Sequence, residues 1–415
     1  MMSRWMAQRF ATSFWMTRRR LRAHGTILAV CLWSFYLWTI ATPGLRDRNG
    51  NLKGTDFLHF YTLGSLALQH RGADLYDIDA QAALAAQRVP QAAGIRYLPL
   101  YPPQVSILFA PLAYFSYGWA LALWWACTAA IYGICCYAIW HACPNLREVS
   151  WLVLLLAVAF PGFFHLIAWG QTSALALACF TLMFFFLRER RDFLAGITLG
   201  CLIFKPQLGV AAAVLFIALG SWKMIAGAAI SGTAQLAVGI LYYGIEPLRR
   251  WINVLRSVRL LLPSLEPKPY QTHSLRTFWS LMLPGKIAFG LYVLTAFVVL
   301  ALLIACWRRS TSQPLALRYS ALLLATVLVA PHLTVYDLVI LAPAFLLLAE
   351  WLLGQPKSAF TDWTATLLYF AYLLPLLGPF ARWTHVQLSV VAMFALLYLV
   401  CKQSRQAPAA SGPAE

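Results

Sequence analysis

The chain has 415 residues, of which 61% are hydrophobic and only 11% are charged, and its formal net charge is +18. Because soluble domains carry about 25% charged residues, this composition excludes an ordinary soluble protein. Nucleic-acid binding is also excluded, since no soluble basic domain exists to carry it and basic loops beside anionic lipids explain the charge. Long apolar runs without strict alternation predict an all-α polytopic membrane protein rather than a β-barrel.

The N-terminal region, 1–25, is basic and precedes the apolar run TILAVCLWSFYLWTIA. This run ends in Thr-Pro-Gly without an Ala-x-Ala cleavage pattern, so we interpret it as a retained first helix with a cytoplasmic N-terminus. A single transmembrane domain is predicted over 26–401, and the Pro/Ala-rich tail 402–415 is predicted to be disordered. All nine cysteines lie in or beside apolar segments, which indicates neither a disulfide framework nor a Cys/His metal site.

About twelve segments are candidate membrane spans, because a bilayer core requires about 20 helical residues. The stretch PPQVSILFAPLAYFS is short and broken by prolines, so we predict a partial or re-entrant helix there. The candidate spans lie near 26–42, 118–141, 151–168, 172–187, 193–204, 207–221, 224–243, 287–306, 317–331, 336–352, 363–380 and 386–401.

Short basic connections at 188–192, 307–310 and 401–405 indicate the orientation of the helices. The positive-inside rule weighs short connections most strongly, so both termini are predicted to be cytoplasmic. The two long loops, 43–102 and 244–286, then lie outside the membrane.

This threading places four polar segments at the same outer face: the loop with Asp56, WGQTS (169–173), FKPQ (204–207) and APHLTVYD (330–337). Ionisable groups at membrane depth are costly and usually functional. A functional site is therefore predicted where these segments meet.

Asp56 begins the stretch TDFLHFYTLGSLAL, whose apolar residues follow a helical spacing. Two interpretations remain open for its carboxylate: a cap for this helix, or a general base at the membrane surface. His59 follows one turn later on the same face and is a candidate for binding substrate or phosphate. Asp77 or Asp79 precedes an Ala-rich amphipathic stretch and is predicted to cap it.

Several other side chains are candidates for binding substrate or phosphate. Lys205 is either a lysine that snorkels to water at a helix end or a cation that binds a lipid phosphate. Arg256 and Arg259, in the basic outer loop, are either solvated or part of a phosphate-binding surface. The remaining candidates are Tyr101, Gln171, His332, Tyr336 and Asp337.

Six motifs follow one another along the chain: TDFLHFY, ADLYD, YPPQVSILFAPLA, GQTSALAL, KPQ and PHLTVYDLVILAPA. In this order they resemble glycosyltransferase family 87 over roughly residues 25–350. Its members are GT-C-fold transferases that use polyprenyl-phosphate sugars, such as the bacterial α-mannosyltransferases. The resemblance implies a GT-C-type helical bundle with a helical first extracytoplasmic loop, and it makes Asp56 the catalytic acidic residue. Many GT-C enzymes have two adjacent acids in this loop, often with a metal. Because no second acid lies within two residues of Asp56, we expect no metal and no other cofactor.

The resemblance implies a hexosyltransferase of the bacterial inner membrane. It would transfer a hexose, with mannose as the first candidate, from polyprenyl phosphate to a lipid-linked glycan or glycolipid, with its active site facing the periplasm. Inversion is expected, since nothing suggests a second, nucleophilic carboxylate. One alternative is a transporter or flippase of lipid-linked saccharides, but such proteins bind substrate near the midplane, often between repeats, and no repeat is evident here. A ligase with a diphosphate-linked donor and a non-catalytic scaffold also remain open.

Overall fold

The computed structural model describes residues 17–265, 268–309 and 314–406, with side chains left undescribed at 258–265, 309 and 404–406. Helix accounts for 81% of the fold, and no strand forms within these ranges. The predicted all-α class is therefore confirmed.

The described ranges contain α-helices of very different lengths, joined by turns. These are α1 (Arg18–Ile40), α2 (Thr55–Leu68), α3 (Ile78–Arg88), α4 (Gln104–Phe109), α5 (Tyr117–His141), α6 (Pro144–Arg147), α7 (Ser150–Val158), α8 (Pro161–Trp169), α9 (Ser173–Arg188), α10 (Asp192–Gly200), α11 (Pro206–Ala218), α12 (Trp222–Tyr243), α13 (Glu246–Leu265), α14 (Leu275–Met282), α15 (Gly285–Arg309), α16 (Leu315–Val329), α17 (Ala342–Leu353), α18 (Ala359–Leu373), α19 (Ala381–Thr384) and α20 (Leu388–Gln406). Single 3₁₀ segments lie at Gly72–Tyr76, Pro90–Ala92, Ala110–Tyr114, Cys201–Phe204, Pro269–Gln271, Val335–Leu341 and Leu374–Phe380.

Among the described residues, six helical stretches are long and apolar enough to cross a membrane, or seven if the bent pair α7 and α8 counts as one span. The chain is therefore a multi-pass membrane protein. Six more apolar helices have only 10–17 residues. At about 1.5 Å per residue, α11 reaches about 20 Å, which is short of a core of about 30 Å. A helix lies at every predicted span, but the predicted count of about twelve spans is not confirmed.

Several local predictions can be compared with the observed elements. The long loop 43–102 is helical, since it contains α2 and α3, and Asp77 caps α3 by accepting hydrogen bonds from two backbone amides at 3.0 and 2.9 Å. The Pro-broken stretch forms only the short helix α4 and the 3₁₀ turn that follows it. Helix α1 begins at Arg18, before the predicted boundary, and α20 continues to Gln406, past the predicted start of the tail.

The burial of the helices follows their sequence patterns. Helix α16 is apolar almost all round and is buried along nearly its whole length, as expected for a central helix. Helix α1 instead exposes large apolar side chains such as Phe35 and Trp38, which suits a helix that faces lipid. Helix α2 forms a second apolar core with α4 and α5, in which Phe57 stacks on Trp124.

Helices α10 and α12 approach each other so closely that three glycines leave no room for a side chain. A Cβ atom at Gly196, Gly200 or Gly227 would lie 2.0, 2.3 or 2.2 Å from a backbone oxygen of the facing helix. Small residues permit this close approach between membrane helices. We call this contact the glycine seam. Because the chain runs from α10 through the turn Cys201–Phe204 directly to Lys205, the seam fixes the position of Lys205.

Candidate active site

Asp56 lies in the first turn of α2 but does not cap the helix. The N-cap residue is Gly54, which has a φ of 61° and provides no side-chain cap. The Asp56 carboxylate instead accepts a hydrogen bond from the Nε2 of Gln171 at 2.7 Å. The capping interpretation of Asp56 is therefore wrong, and its carboxylate faces the turn between α8 and α9.

The turn that carries Gln171 is held against α2 by Gly170. Gly170 has a φ of 71°, and a Cβ atom there would lie 2.8 Å from the Cβ of Phe57. The indole N–H of Trp124 donates to the Gly170 carbonyl at 3.0 Å. Only glycine fits this close approach at a positive φ, so Gly170 places the amide of Gln171 beside Asp56.

Replacing Gly170 by alanine should lower the free energy of unfolding by about 1–3 kcal/mol, because alanine is strained at a positive φ and its methyl group would collide with Phe57. Gly133→Ala is the matched control, since Gly133 lies inside α5 and nothing stands within 4 Å of its Cβ position. That control should be neutral or stabilising by up to about 1 kcal/mol. Thermal melting of both purified variants in one detergent checks this, and equal melting temperatures would contradict the packing role of Gly170.

Lys205 forms a buried ion pair with Asp337. The lysine is only 4% exposed, and its ammonium donates to Asp337 Oδ1 at 2.7 Å and to Ser173 Oγ at 2.9 Å. Ser173 donates to the same carboxylate oxygen at 2.6 Å, and Thr334 donates to the other one from its backbone N–H and its hydroxyl. The ring of Tyr336 lies 5.2 Å from the ammonium, within cation–π range. The snorkelling interpretation of Lys205 is therefore wrong, because its ammonium turns inward.

The two groups of contacts share one segment of chain. Gln171 contacts Asp56, and Ser173, two residues later, contacts Lys205 and Asp337. His332 lies close enough to the Asp337 carboxylate to interact with it electrostatically. The four polar segments that the sequence placed at one face therefore meet in the structure.

His59 follows Asp56 by one turn of α2 and lies against two tyrosines. Its ring centroid is 5.1 Å from that of Tyr97 and 5.7 Å from that of Tyr101. The hydroxyl of Tyr101 in turn lies 3.5 Å from the Oε1 of Gln171, a long hydrogen bond. Burial lowers the pKa of His59 to about 4, so its imidazole is uncharged at neutral pH.

The Asp56 carboxylate has an electrostatic setting suited to accepting a proton. Burial raises the pKa of Asp56 to about 6, and the hydrogen bond from Gln171 and the charge of Lys205 only partly offset this effect. Among the described side chains, Asp56 forms no salt bridge within 4.0 Å. A carboxylate with a pKa close to the working pH, and without its own counter-ion, can act as a general base.

The two candidate arginines of α13 have different standing in the structure. Arg256 is exposed and takes part in none of the hydrogen bonds described above. The side chain of Arg259 lies outside the described residues. Their role in phosphate binding stays a prediction.

The acidic and imidazole groups of the site do not form a metal-binding cluster. In the part of the chain that the structure describes, no group of three or more His, Cys, Asp or Glu side chains is placed to hold a metal ion. The expectation of a metal-independent reaction stays a prediction.

A comparison with known protein families adds an independent finding. The profile of glycosyltransferase family 87 matches residues 100–331, more than half of the 415 residues. The chain belongs to glycosyltransferase family 87. No curated protein and no solved structure gives a match. This family 87 protein is therefore a membrane glycosyltransferase.

The matched range covers only part of the site of this family 87 protein. It includes Tyr101, Gln171 and Lys205, but it starts after Asp56 and His59. The roles of the two residues on α2 therefore rest on their geometry in this structure.

Sequence reasoning missed three side chains of the site. Ser173 lies in the predicted polar segment WGQTS, two residues after Gln171, but the sequence did not distinguish it as a site residue. Thr334 forms a capping box with Asp337, and the Thr-x-x-Asp spacing was a usable signal. Tyr97, whose hydroxyl donates to the Thr55 carbonyl, offered no signal of comparable strength.

Proposed function

We propose that this family 87 protein transfers mannose from a polyprenyl-phosphate donor to a hydroxyl group of a lipid-linked glycan or glycolipid. The reaction takes place on the periplasmic side of the bacterial inner membrane. The observation that supports this best is the Asp56 carboxylate, which is hydrogen-bonded to Gln171 and has a pKa raised to about 6. That group has the properties of the base that a glycosyl transfer requires.

In this mechanism, Asp56 accepts the proton of the acceptor hydroxyl while the hydroxyl oxygen attacks the anomeric carbon. The bond between that carbon and the phosphate oxygen breaks, and its electron pair leaves with the polyprenyl phosphate. A single displacement inverts the configuration at the anomeric carbon. Negative charge grows on the departing phosphate, so cations held near it would stabilise the transition state.

Lys205 is the first candidate for contact with that phosphate. An ammonium group has three donors, and the described contacts with Ser173 and Asp337 use two of them. A phosphate could therefore bind Lys205 without breaking the ion pair. Asp337 would keep the lysine charged and in place, and His332 lies near the same carboxylate.

The direct test is transfer of radiolabelled mannose from polyprenyl-phosphate mannose to membrane glycolipids by the purified protein, beside the matching glucose donor and a diphosphate-linked donor. The expected result is a mannosylated lipid product from the monophosphate donor. Uptake of a lipid-linked saccharide into vesicles without any glycosylated product would support the transporter alternative. Preference for the diphosphate-linked donor would support a ligase instead.

The proposed orientation makes its own prediction, which rests on the basic connection 188–192. Asn49 and Glu189 are both exposed, and only Asn49 is predicted to lie outside. In intact cells, an impermeant thiol reagent should label Asn49→Cys, and Glu189→Cys only after the membrane is made permeable. The parent protein provides the background from its own cysteines. Equal labelling of both variants in intact cells would contradict the orientation.

A further inference from the structure

His59 is a buried polar residue whose hydrogen-bonding groups are not used. It is 4% exposed, and neither Nδ1 nor Nε2 has a hydrogen-bond partner among the described residues. Buried polar side chains are nearly always hydrogen-bonded, and an unsatisfied one in a native structure calls for an explanation. A ligand that supplies the missing partners is such an explanation.

The surroundings of His59 indicate what kind of ligand would fit. The rings of Phe60, Tyr97 and Tyr101 lie around the imidazole, with centroid distances of 5.7, 5.1 and 5.7 Å. Small-molecule sites commonly combine such apolar and aromatic walls with a few placed polar groups. A sugar ring has the matching chemistry, with apolar C–H faces and hydroxyl groups at its edge.

His59 is also connected to the proposed base. It follows Asp56 by three residues on α2, which places both side chains on one face of the helix. Tyr101 contacts the imidazole on one side and approaches Gln171 on the other, and Gln171 binds Asp56. A group bound at His59 would therefore lie next to the Asp56 carboxylate.

We propose that His59 recognises a sugar hydroxyl beside the reacting bond, with one ring nitrogen donating a hydrogen bond and the other accepting one. This inference rests on the proposed function and names a specificity-determining residue of the same site. An uncharged imidazole offers one donor and one acceptor, which suits a hydroxyl group rather than a phosphate. The hydroxyl belongs either to the transferred sugar or to the acceptor, and the experiment below separates the two.

The segment 95–102 covers His59 and must shift to admit a sugar. It has no helical structure, and it is held mainly by side-chain contacts. Tyr76 donates to the carbonyl of Tyr101 and Trp251 to that of Leu100, both at 2.9 Å. The tyrosines of this segment would then pack on the sugar as they now pack on the imidazole.

The test compares His59→Phe and His59→Gln with the parent enzyme. His59→Phe keeps an aromatic ring but removes both nitrogens, so the melting temperature should stay equal or rise, while kcat/KM should fall about 100-fold or more. His59→Gln restores a donor and an acceptor and should recover part of the activity. His141→Phe, at the exposed end of α5, is the control and should behave like the parent.

Binding then identifies the source of the hydroxyl. In the Asp56→Asn background, which should not turn over, polyprenyl-phosphate mannose should raise the melting temperature. Loss of that shift on adding His59→Phe assigns His59 to the donor sugar. A preserved shift, together with a raised acceptor KM in the single variant His59→Phe, assigns it to the acceptor.

Two results would overturn the inference while the proposed function stands: normal kinetics in His59→Phe, or a melting temperature and activity that fall together and are not rescued in His59→Gln. Failure of the proposed function has a different signature. The parent protein would then neither transfer mannose nor respond to the donor in the melting assay, and the assignment of His59 would fall with it.

Discussion

Asp56→Asn should lower turnover by at least about 100-fold, the usual effect of removing a general base, and should leave the fold intact. The structure supports both halves of this expectation. Asp56 does not cap α2, so no helix-starting interaction is lost. Asparagine has the same size, and its side-chain oxygen can still accept the hydrogen bond from Gln171.

Turnover measured with saturating donor and acceptor, beside the melting temperature, separates catalysis from stability. Asp79→Asn is the matched control, because Asp79 lies in the same loop, 43–102, with its side chain 82% exposed. That control should turn over normally. Near-normal turnover in Asp56→Asn would remove Asp56 from the proposed mechanism.

The pH dependence follows from the same role. The base must be deprotonated to accept a proton, and burial raises the pKa of Asp56 to about 6. The kcat/KM of the parent enzyme should therefore fall about tenfold per pH unit below pH 6 and level off above it. The residual activity of Asp56→Asn should lack this acid limb, and a parent profile that is flat through pH 6 would contradict the assignment.

Lys205→Ala should lower both stability and activity. It leaves the Asp337 carboxylate buried without a counter-charge, which typically costs about 3–5 kcal/mol. A fall in activity alone would therefore not reveal a role in donor binding. The double variant Lys205→Met/Asp337→Asn removes both charges. The side-chain oxygen of the asparagine at position 337 can accept the hydrogen bonds from Thr334, and its NH2 group can donate to the Ser173 hydroxyl, so much of the stability should return.

The double variant then isolates the chemical role of the lysine. If Lys205 binds the donor phosphate, the folded double variant should keep a raised donor KM and a lowered kcat, with acceptor KM little changed. Parent-like donor kinetics would make the ion pair purely structural. The arginines of α13 would then be the next place to look for the phosphate site.

The helices of this fold could be predicted because apolar runs in a membrane protein are helical almost without exception. The number of helices that cross the membrane could not be predicted, since α11 and several other helices are too short to cross a bilayer unaided. The meeting of the four polar segments was also predictable, because ionisable groups at membrane depth are costly and are usually part of a functional site. That reasoning placed Gln171 and Lys205 near Asp56.

The individual partners within the site were beyond the sequence. Lys205 and Asp337 are separated by 132 positions, and their pairing depends on how the helices rotate and approach one another. Ser173 joins them only because the turn before α9 is pressed against α2 at Gly170. The two nitrogens of His59 lack hydrogen-bond partners in the described part of the chain because of where the segment 95–102 lies. This segment is not helical, so the spacing of its apolar residues does not predict its position.

The glycine seam between α10 and α12 restricts how the specificity of this enzyme can diverge. A methyl group at Gly196, Gly200 or Gly227 would meet a backbone oxygen, which cannot rotate away as a side chain can. Substitutions are therefore restricted in the helix contact that positions Lys205. The segment 95–102 is held in part by hydrogen bonds from Tyr76 and Trp251 to its backbone carbonyls, so its own side chains should be easier to exchange. Relatives that adopt a new sugar would change this segment and retain the seam, and a directed-evolution library should do the same.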